Sequence, residues 1–518
     1  MRLFTTVAGL RCDLNLQQKK QPVTMDATDS TIGFVPTMGA LHAGHLSLID
    51  RARQENKIVV VSIFVNPLQF GANEDFGRYP RPLERDRALC EQAGVDVLFA
   101  PNPTEMGVIP PPQTRVHPPS DLISGLCGAV RPGHFEGVAT IVTKFFNLVQ
   151  PDRAYFGQKD AQQLAIIQQI VRDLNLPVKI VPCPIVREAS GLALSSRNQY
   201  LSDEERINAT ALYRGLSQAE KLFRSGERVS ATLVQAVKQE LKKVPLLQPE
   251  YIELVDPMTL KTLDTVTDEG LLTLAARLGS TRLIDNTVLR DRRPIIAIDG
   301  PAGAGKSTVA RSVAKQLGLF YLDTGAMYRA LTWFVLQSGV DLHDEPAVAE
   351  LAHQCEIDFQ TDTSTPIVFV NCQDVTQAIR TPEVTAHVST IAAQAAVREA
   401  LVKQQQNYGR RGGIVVDGRD IGTHVFPDAE VKIYLTASIQ ERARRRQLDL
   451  KSMGQPTANL ADLEQAIFER DRKDSTRTIS PLRKASDAIE IQSDDMSVTE
   501  VLNAIVGLYQ EKTDLLSD

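Results

Sequence analysis

The stretch Ile295–Thr308, I-I-A-I-D-G-P-A-G-A-G-K-S-T, decides how the rest of the chain is read. Its apolar run, bordered by Pro294 and closed by Asp299, has the pattern of a short buried strand. It feeds straight into Gly300-x-x-x-x-Gly305-Lys306-Ser307, after which Val309, Val313 and Leu317 recur at helical spacing. Strand, glycine-rich loop and helix in that order make a P-loop in the setting the motif requires. Gly300, Gly303 and Gly305 leave room for backbone N–H groups to curl round a triphosphate, and the helix N-terminus adds its dipole. Lys306 supplies a point charge to the β and γ phosphates, the Ser307 hydroxyl can ligate Mg²⁺, and Thr308 completes the candidate ATP-binding set. A P-loop sits on the first strand of its domain, so the residues before it need a fold of their own.

At 518 residues the chain exceeds one core, and two or three domains are expected. The net charge of −6 offers no basic footprint, which argues against nucleic acid or an anionic membrane as the main partner and leaves small metabolites. Six cysteines lie scattered with no C-x-x-C pair, as in a reducing compartment. No apolar run reaches spanning length, and Phe4 to Leu10 is too short for a secretory core, so a cytoplasmic protein is expected.

Before the P-loop, residues 1 to 30 read as a doubtful first strand followed by a loop or frayed insert. Strands are then expected at Thr31–Pro36, Ile58–Val65, Val95–Ala100, Arg153–Phe156 and Val178–Val181, with helices at 46–56, 84–93, 138–149 and 160–173 between them. This alternation predicts a doubly wound parallel sheet whose ligand crevice lies at the carboxyl ends of the strands. His42 and His45, one helical turn apart at such an end, suit phosphate oxygens and charge developing at an α phosphorus. A zinc pair lacks further ligands at metal spacing, and two incidental surface histidines remain the plain alternative. Helices at 203–222 and 229–243, a strand at Tyr251–Val255 and the apolar Leu271–Arg277 predict a smaller appended domain able to close as a lid.

Five segments share more than the H-x-G-H pattern of class I nucleotidyltransferases. Pro36-Thr-Met-Gly-Ala-Leu-His-x-Gly-His45, Phe64–Phe70, Arg131-Pro-Gly-His-Phe-x-Gly-Val138, Phe156–Asp160 and Leu194–Asn198 together resemble the pantoate-β-alanine ligase family. The resemblance implies that ATP activates pantoate as an acyl adenylate and that β-alanine then displaces AMP. It places Met38, Gly39, Ala40, Leu41, His42, Ala43, Gly44, His45, Gly157, Gln158, Lys159, Asp160, Val186, Leu194, Ser195, Ser196 and Arg197 around ATP. Gln69 and Gln163 are the expected pantoate clamps, since neutral amides hold oxygens without blunting the nucleophile. The family treats His45 as a proton donor; chemically it suits a phosphate-side stabiliser, because an attacking carboxylate has no proton to give. Lys144, Lys159 and Arg197 are the cations expected at the leaving pyrophosphate. A homodimer through the N-terminal domain is a further implication. The match runs to Arg282-Leu-Ile-Asp-Asn286, and Thr287–Pro294 reads as a short charged joint.

After the P-loop, Tyr321–Arg329, Ile379–Val384, Val397–Ala400, Val416–Thr423 and Glu469–Asp471 resemble cytidylate kinases, as does the long insert over 340–400. The resemblance gives Thr324, Arg329, Arg398, Arg419, Asp420 and Arg477 to CMP, and Arg470 and Arg477 to a lid. Asp420 or the Thr324 hydroxyl could receive the cytosine amino group. Glu441–Arg446, E-R-A-R-R-R, reads as a solvated helix face and is set aside.

The expected architecture is α/β throughout. Residues 1–290 form a class I nucleotidyltransferase-type Rossmann unit, with 1–185 its ATP/pantoate part and 186–290 the small lid domain. Residues 291–518 form a P-loop nucleoside monophosphate kinase fold. The expected partners are ATP, pantoate, β-alanine, CMP and dCMP, with Mg²⁺ accompanying ATP. A tRNA synthetase relative would carry a basic anticodon-binding segment, and a guanine-nucleotide switch an N-K-x-D motif; neither is present. The alternative is that one half persists only as a nucleotide-binding or oligomerisation module.

Overall fold

The computed structural model describes residues 1–19, 31–71, 74–360, 367–452, 459–476 and 480–517. The chain divides into two compact units, Met1–Asp291 and Arg292–Asp518.

In unit 1, six parallel strands form one sheet: β1 (Arg2–Phe4), β2 (Ile32–Thr37), β3 (Ile58–Ile63), β4 (Val97–Phe99), β5 (Arg153–Gly157) and β6 (Lys179–Cys183). Their spatial order is β1-β4-β3-β2-β5-β6. Helices cover both faces, so β3 is apolar along nearly its whole length rather than alternating. The chain winds from β2 outward through β3 and β4, then returns to lay β5 beside β2, pairing Gly33 with Arg153. This is the switch point of the sheet, where two adjacent strands send their following loops to opposite sides and open a crevice.

Residues 1–19 contain the doubtful first strand and correct the remainder of the sequence reading. They form β1, paired in parallel with β4, and a helix Val7–Lys19 whose Leu10 and Leu14 enter the core. A three-residue strand is too short to show a period, which is why the sequence marks it only doubtfully and the helix after it reads as a loop. Residues 20–30 lie outside the described residues.

A second, antiparallel sheet follows, β7 (Leu247–Val255), β8 (Glu269–Leu278) and β9 (Thr281–Arg290), packed with helices around its own core. The expected helix at 203–222 is two, Asp203–Ala209 and Ala211–Arg224, the first opened by a Ser202/Glu205 capping box. Thr287–Arg290 complete β9, so the charged joint is shorter than the sequence suggests.

Unit 2 begins with β10 (Ile296–Asp299) and β11 (Phe320–Asp323); a small antiparallel sheet of β12 (Ile357–Gln360), β13 (Ile367–Val370) and β14 (Gln373–Asp374) is inserted next. Then come β15 (Ile414–Gly418), β16 (Val431–Thr436) and β17 (Ile489–Gln492). The main sheet is parallel, in the order β11-β15-β10-β16-β17. The ends of β11, β15 and β10 therefore lie side by side and deliver Thr324, Asp417–Asp420 and the P-loop to one edge.

Candidate functional sites

In unit 1 a cavity of about 300 Å³ opens at the carboxyl ends of β2 and β5. Met38, His42, Gly44 and His45 reach it from the turn after β2, and Gly157, Lys159 and Asp160 from the end of β5. Val186, Leu194, Ser195, Ser196 and Arg197 enter from the segment after β6, and Gln69 and Gln163 close it. Gly39, Ala40, Leu41, Ala43 and Gln158 do not line it. The Ala40 and Leu41 N–H groups, which could have faced a phosphate, donate instead to the Asp86 carboxylate at 2.7 and 2.8 Å. Asp86 is fully buried on helix Leu83–Gln92, and nothing in its sequence context singles it out. Gly39, at φ +80°, fits the turn because a Cβ there would press on the same carboxylate at 2.9 Å. Lys144 does not line the cavity; its ammonium lies towards Gly107.

His42 caps helix Ala43–Glu55, its Nδ1 accepting from the Gly44 N–H at 3.1 Å, so the neutral ring carries its proton on Nε2. The two imidazole centroids are 4.1 Å apart. Burial, with Lys159 adding, pushes His42 down to about 4. Burial, with His42 and Lys159 adding, pushes His45 down to about 3, and its Nδ1 is buried without a partner among the described residues. Both rings are neutral near pH 7 and act as hydrogen-bonding groups rather than cations. Lys159 is itself lowered to about 8 by burial, against the pull of Asp160 and Asp285. The Asn286 amide donates to the Gln158 and Lys159 carbonyls at 3.0 and 2.9 Å and so pins this segment.

Two arginines in the wall are already paired. Arg197 grips Asp75 through two bonds of 2.9 Å, and Arg131 grips Glu74 through two of 2.6 Å. Gln69 is fixed on three sides: Asn66 donates to its Oε1 at 3.1 Å, its own amide reaches the Met38 sulfur at 3.0 Å, and His134 Nδ1 lies 2.7 Å from its carbonyl. The helix carrying His134 comes close because Gly137 has no side chain; a Cβ there would sit 2.2 Å from the Leu68 carbonyl oxygen.

In unit 2, Gly300, Gly303 and Gly305 take φ of 148°, 78° and 87°, and a Cβ on Gly300 would lie 1.9 Å from the Leu435 carbonyl oxygen. Helix Lys306–Leu317 follows. The Lys306 ammonium donates to the Pro301 carbonyl at 2.8 Å, and burial with Arg419 nearby holds it well below its ordinary range. The Ser307 hydroxyl lies 2.7 Å from Asp417, a carboxylate that also receives Tyr321 at 2.9 Å; Thr308 is exposed. Thr324 donates its proton to the Asp417 carbonyl at 2.6 Å, leaving only lone pairs for a base amino group. Arg398 and Asp420 form a buried ion pair, Arg419 binds Asp474 at 3.0 Å and Arg329 lies 3.5 Å from Asp323. Arg470 is exposed, and Arg477 lies outside the described residues.

Asp299, at the foot of the P-loop, accepts from the Ile421 and Gly422 N–H groups at 2.7 Å each, tying the donor-side loop to the loop that carries Asp420. Burial pushes it up to about 7 against those two bonds. The reading of Glu441–Arg446 as a solvated face fails for Arg442, which is 4% exposed and donates to the P-loop carbonyl of Ala302 at 3.1 Å. Helical periodicity among consecutive arginines hides which one faces inward.

Fold and sites together define a protein with two nucleotide-type sites, one at a Rossmann-like switch point and one on a P-loop. Comparison with known proteins agrees. Residues 3–288 match the family model for pantoate-beta-alanine ligase, and residues 296–511 that for cytidylate kinase. A bifunctional pantoate ligase/cytidylate kinase of Trichormus variabilis is 64% identical over 99% of both chains, and one from a Nostoc species is 63% identical over the same share. The solved pantothenate synthetase of Thermus thermophilus is 49% identical with a TM-score of 0.51, covering 55% of this chain and 99% of its own. The chain belongs to the bifunctional pantoate ligase/cytidylate kinase family. Among the described residues no helix is long and apolar enough to cross a membrane.

Proposed function

We propose that unit 1 condenses pantoate with β-alanine through a pantoyl adenylate, releasing AMP and pyrophosphate, and that unit 2 transfers a phosphoryl group from ATP to CMP or dCMP. The observation that carries this reading is that each unit gathers its own set at the carboxyl ends of adjacent parallel strands: His42, His45 and Lys159 in one, Lys306, Ser307 and Asp417 in the other.

In unit 1, Gln69 and Gln163 hold pantoate so that its carboxylate faces the α phosphorus. Positioning of this kind contributes more than acid–base chemistry, since the nucleophile is already ionised. His42 and His45 donate N–H groups to the phosphate oxygens as charge builds there. Lys159 and Arg197 take the charge of the departing pyrophosphate. Arg197 exchanges Asp75 for phosphate as ATP enters.

In unit 2, Gly300–Thr308 cradle the donor phosphates, and Lys306 leaves the Pro301 carbonyl for them. Ser307 and Asp417 offer a hydroxyl and a carboxylate 2.7 Å apart, a hard-oxygen pair that fits Mg²⁺ arriving with ATP. Such an ion neutralises phosphate charge. Arg329, Arg398 and Arg419 hold the CMP phosphate and ribose side, while Asp420 and Thr324 face the base. Arg470 approaches the transferring group from the lid side.

Chromatographic separation of nucleotides tests both halves. Pantoate, β-alanine and Mg-ATP should yield AMP; CMP and Mg-ATP should yield ADP and CDP. No AMP above an enzyme-free control would overturn the first assignment. In the second tube, no ADP with CMP, dCMP or UMP as acceptor would overturn the other.

A further inference from the structure

We propose that Arg442 and Asp471 form a relay through which the helix Leu460–Thr476 sets the backbone of the P-loop, making Arg442 a positioning residue for ATP. The inference rests on the phosphotransferase reading of unit 2.

Arg442 sits on helix Ile439–Ser452, and its guanidinium makes contacts to three segments. Its Nε donates to the Ala437 carbonyl just past β16 at 2.9 Å, while Nη1 donates to the Ala302 carbonyl at 3.1 Å and to Asp471 Oδ2 at 2.6 Å. The stem of Arg442 packs against the loop as well, since a Cβ added to Gly303 would meet its Cβ at 3.3 Å.

The Ala302–Gly303 bond is a trans peptide, so its C=O and N–H point to opposite sides. Fixing the Ala302 oxygen on Arg442 therefore turns the Gly303 N–H away from Arg442, to the face where a P-loop meets phosphate. Without that anchor the peptide is free to rotate, and a donor to phosphate is lost. Asp471 keeps the anchor in place, and its second oxygen, Oδ1, is buried without a partner among the described residues.

The helix has a second attachment one turn on. Asp474 binds Arg419, beside the acceptor loop, at 3.0 Å. Residues three apart share a helix face, so one face of this helix holds Arg442, which anchors the P-loop, and Arg419 of the acceptor loop. Loss of Arg442 or Asp471 leaves the Asp474 attachment standing, and the two substrates should respond differently.

The test uses the full chain with Arg442→Met, Arg442→Lys, Asp471→Asn and the double variant Arg442→Met/Asp471→Asn. KM for ATP, KM for CMP and kcat are measured, with thermal melting alongside. Arg442→Met and Asp471→Asn should each raise the ATP KM about tenfold or more while the CMP KM stays within about twofold, the size expected for a charge-assisted hydrogen bond. The double variant should be no worse than the poorer single one, and Arg442→Lys should recover part of the loss. An unchanged ATP KM in Asp471→Asn and Arg442→Lys, equal rises for both substrates, or additive effects would each overturn the relay. Absence of ADP from the parent protein with CMP, dCMP or UMP as acceptor would instead overturn the reading of unit 2 itself.

Discussion

The imidazoles of His42 and His45 lie 4.1 Å apart with Lys159 close enough to repel a proton on either, and burial removes the water that would have stabilised one. A neutral ring still donates one N–H, which is what a pentacovalent phosphate with growing negative charge needs. His45→Ala should therefore lower ligase kcat by about 10²–10³, the cost of removing one aimed donor, and His45→Gln, which keeps an N–H, should lose less. Equal losses in pantoate-dependent AMP release would point to packing instead. Lys159 sets a pH limb. Its folded-state value near 8 lies below the free value of 10.5, so the ammonium is present below pH 8 and lost as pH rises through it. Ligase kcat/KM for ATP should fall above about pH 8, and Lys159→Met should abolish that limb along with most activity, because kcat/KM reports the free enzyme. A limb unmoved in the residual activity of Lys159→Met would assign it elsewhere. These residues are legible in the sequence because they stand inside dense motifs. Asp86 and Asp75 are not, since a single acid in L-E-R-D-R or a turn looks like any solvated charge until the N–H groups and the guanidinium it serves are placed around it.

Helices and turns in unit 1 fix these groups through close backbone approach. Helix His134–Val149 rests on the turn Pro67–Gln69 with no room for a methyl at Gly137. Gly137→Ala should push the two apart, destabilise by about 1–3 kcal/mol and raise the pantoate KM more than the ATP KM, because Gln69 rides on that turn. Melting curves and paired KM values decide it; an equal rise in both KM values would mean that the whole cavity, not the clamp, had shifted. Asp86 acts on the neighbouring turn. Asp86→Ala leaves two buried N–H groups unpaired, a loss of about 1–3 kcal/mol for each, and should depress ligase turnover together with stability. The buried parallel strands are visible from sequence since both faces are covered and β-branched runs result. The first strand is visible only doubtfully and the helix after it not at all, because β1 spans three residues and gains its identity from pairing with β4. The run at Glu441–Arg446 misleads for a related reason: its charge suggests solvent, whereas Arg442 is buried by partners far along the chain.

At the scale of the whole molecule the two chemistries have nothing to pass to each other. Unit 1 makes AMP, pyrophosphate and an amide, while unit 2 consumes a cytidine monophosphate, so no product of one reaction is the other's substrate. Each unit, Met1–Asp291 and Arg292–Asp518, also has its own parallel sheet and its own buried apolar clusters, the kind of core a domain needs to fold alone. Division after Asp291 cuts at the end of β9 and spares every strand of both sheets. The separated halves should fold, and each should keep its kcat within about twofold of the intact chain, as independent domains do. AMP release from the first piece and CDP from the second are the measurements. Folded halves that had lost most of their turnover, with turnover restored on mixing, would show that the sites depend on one another and that the fusion itself is part of the mechanism.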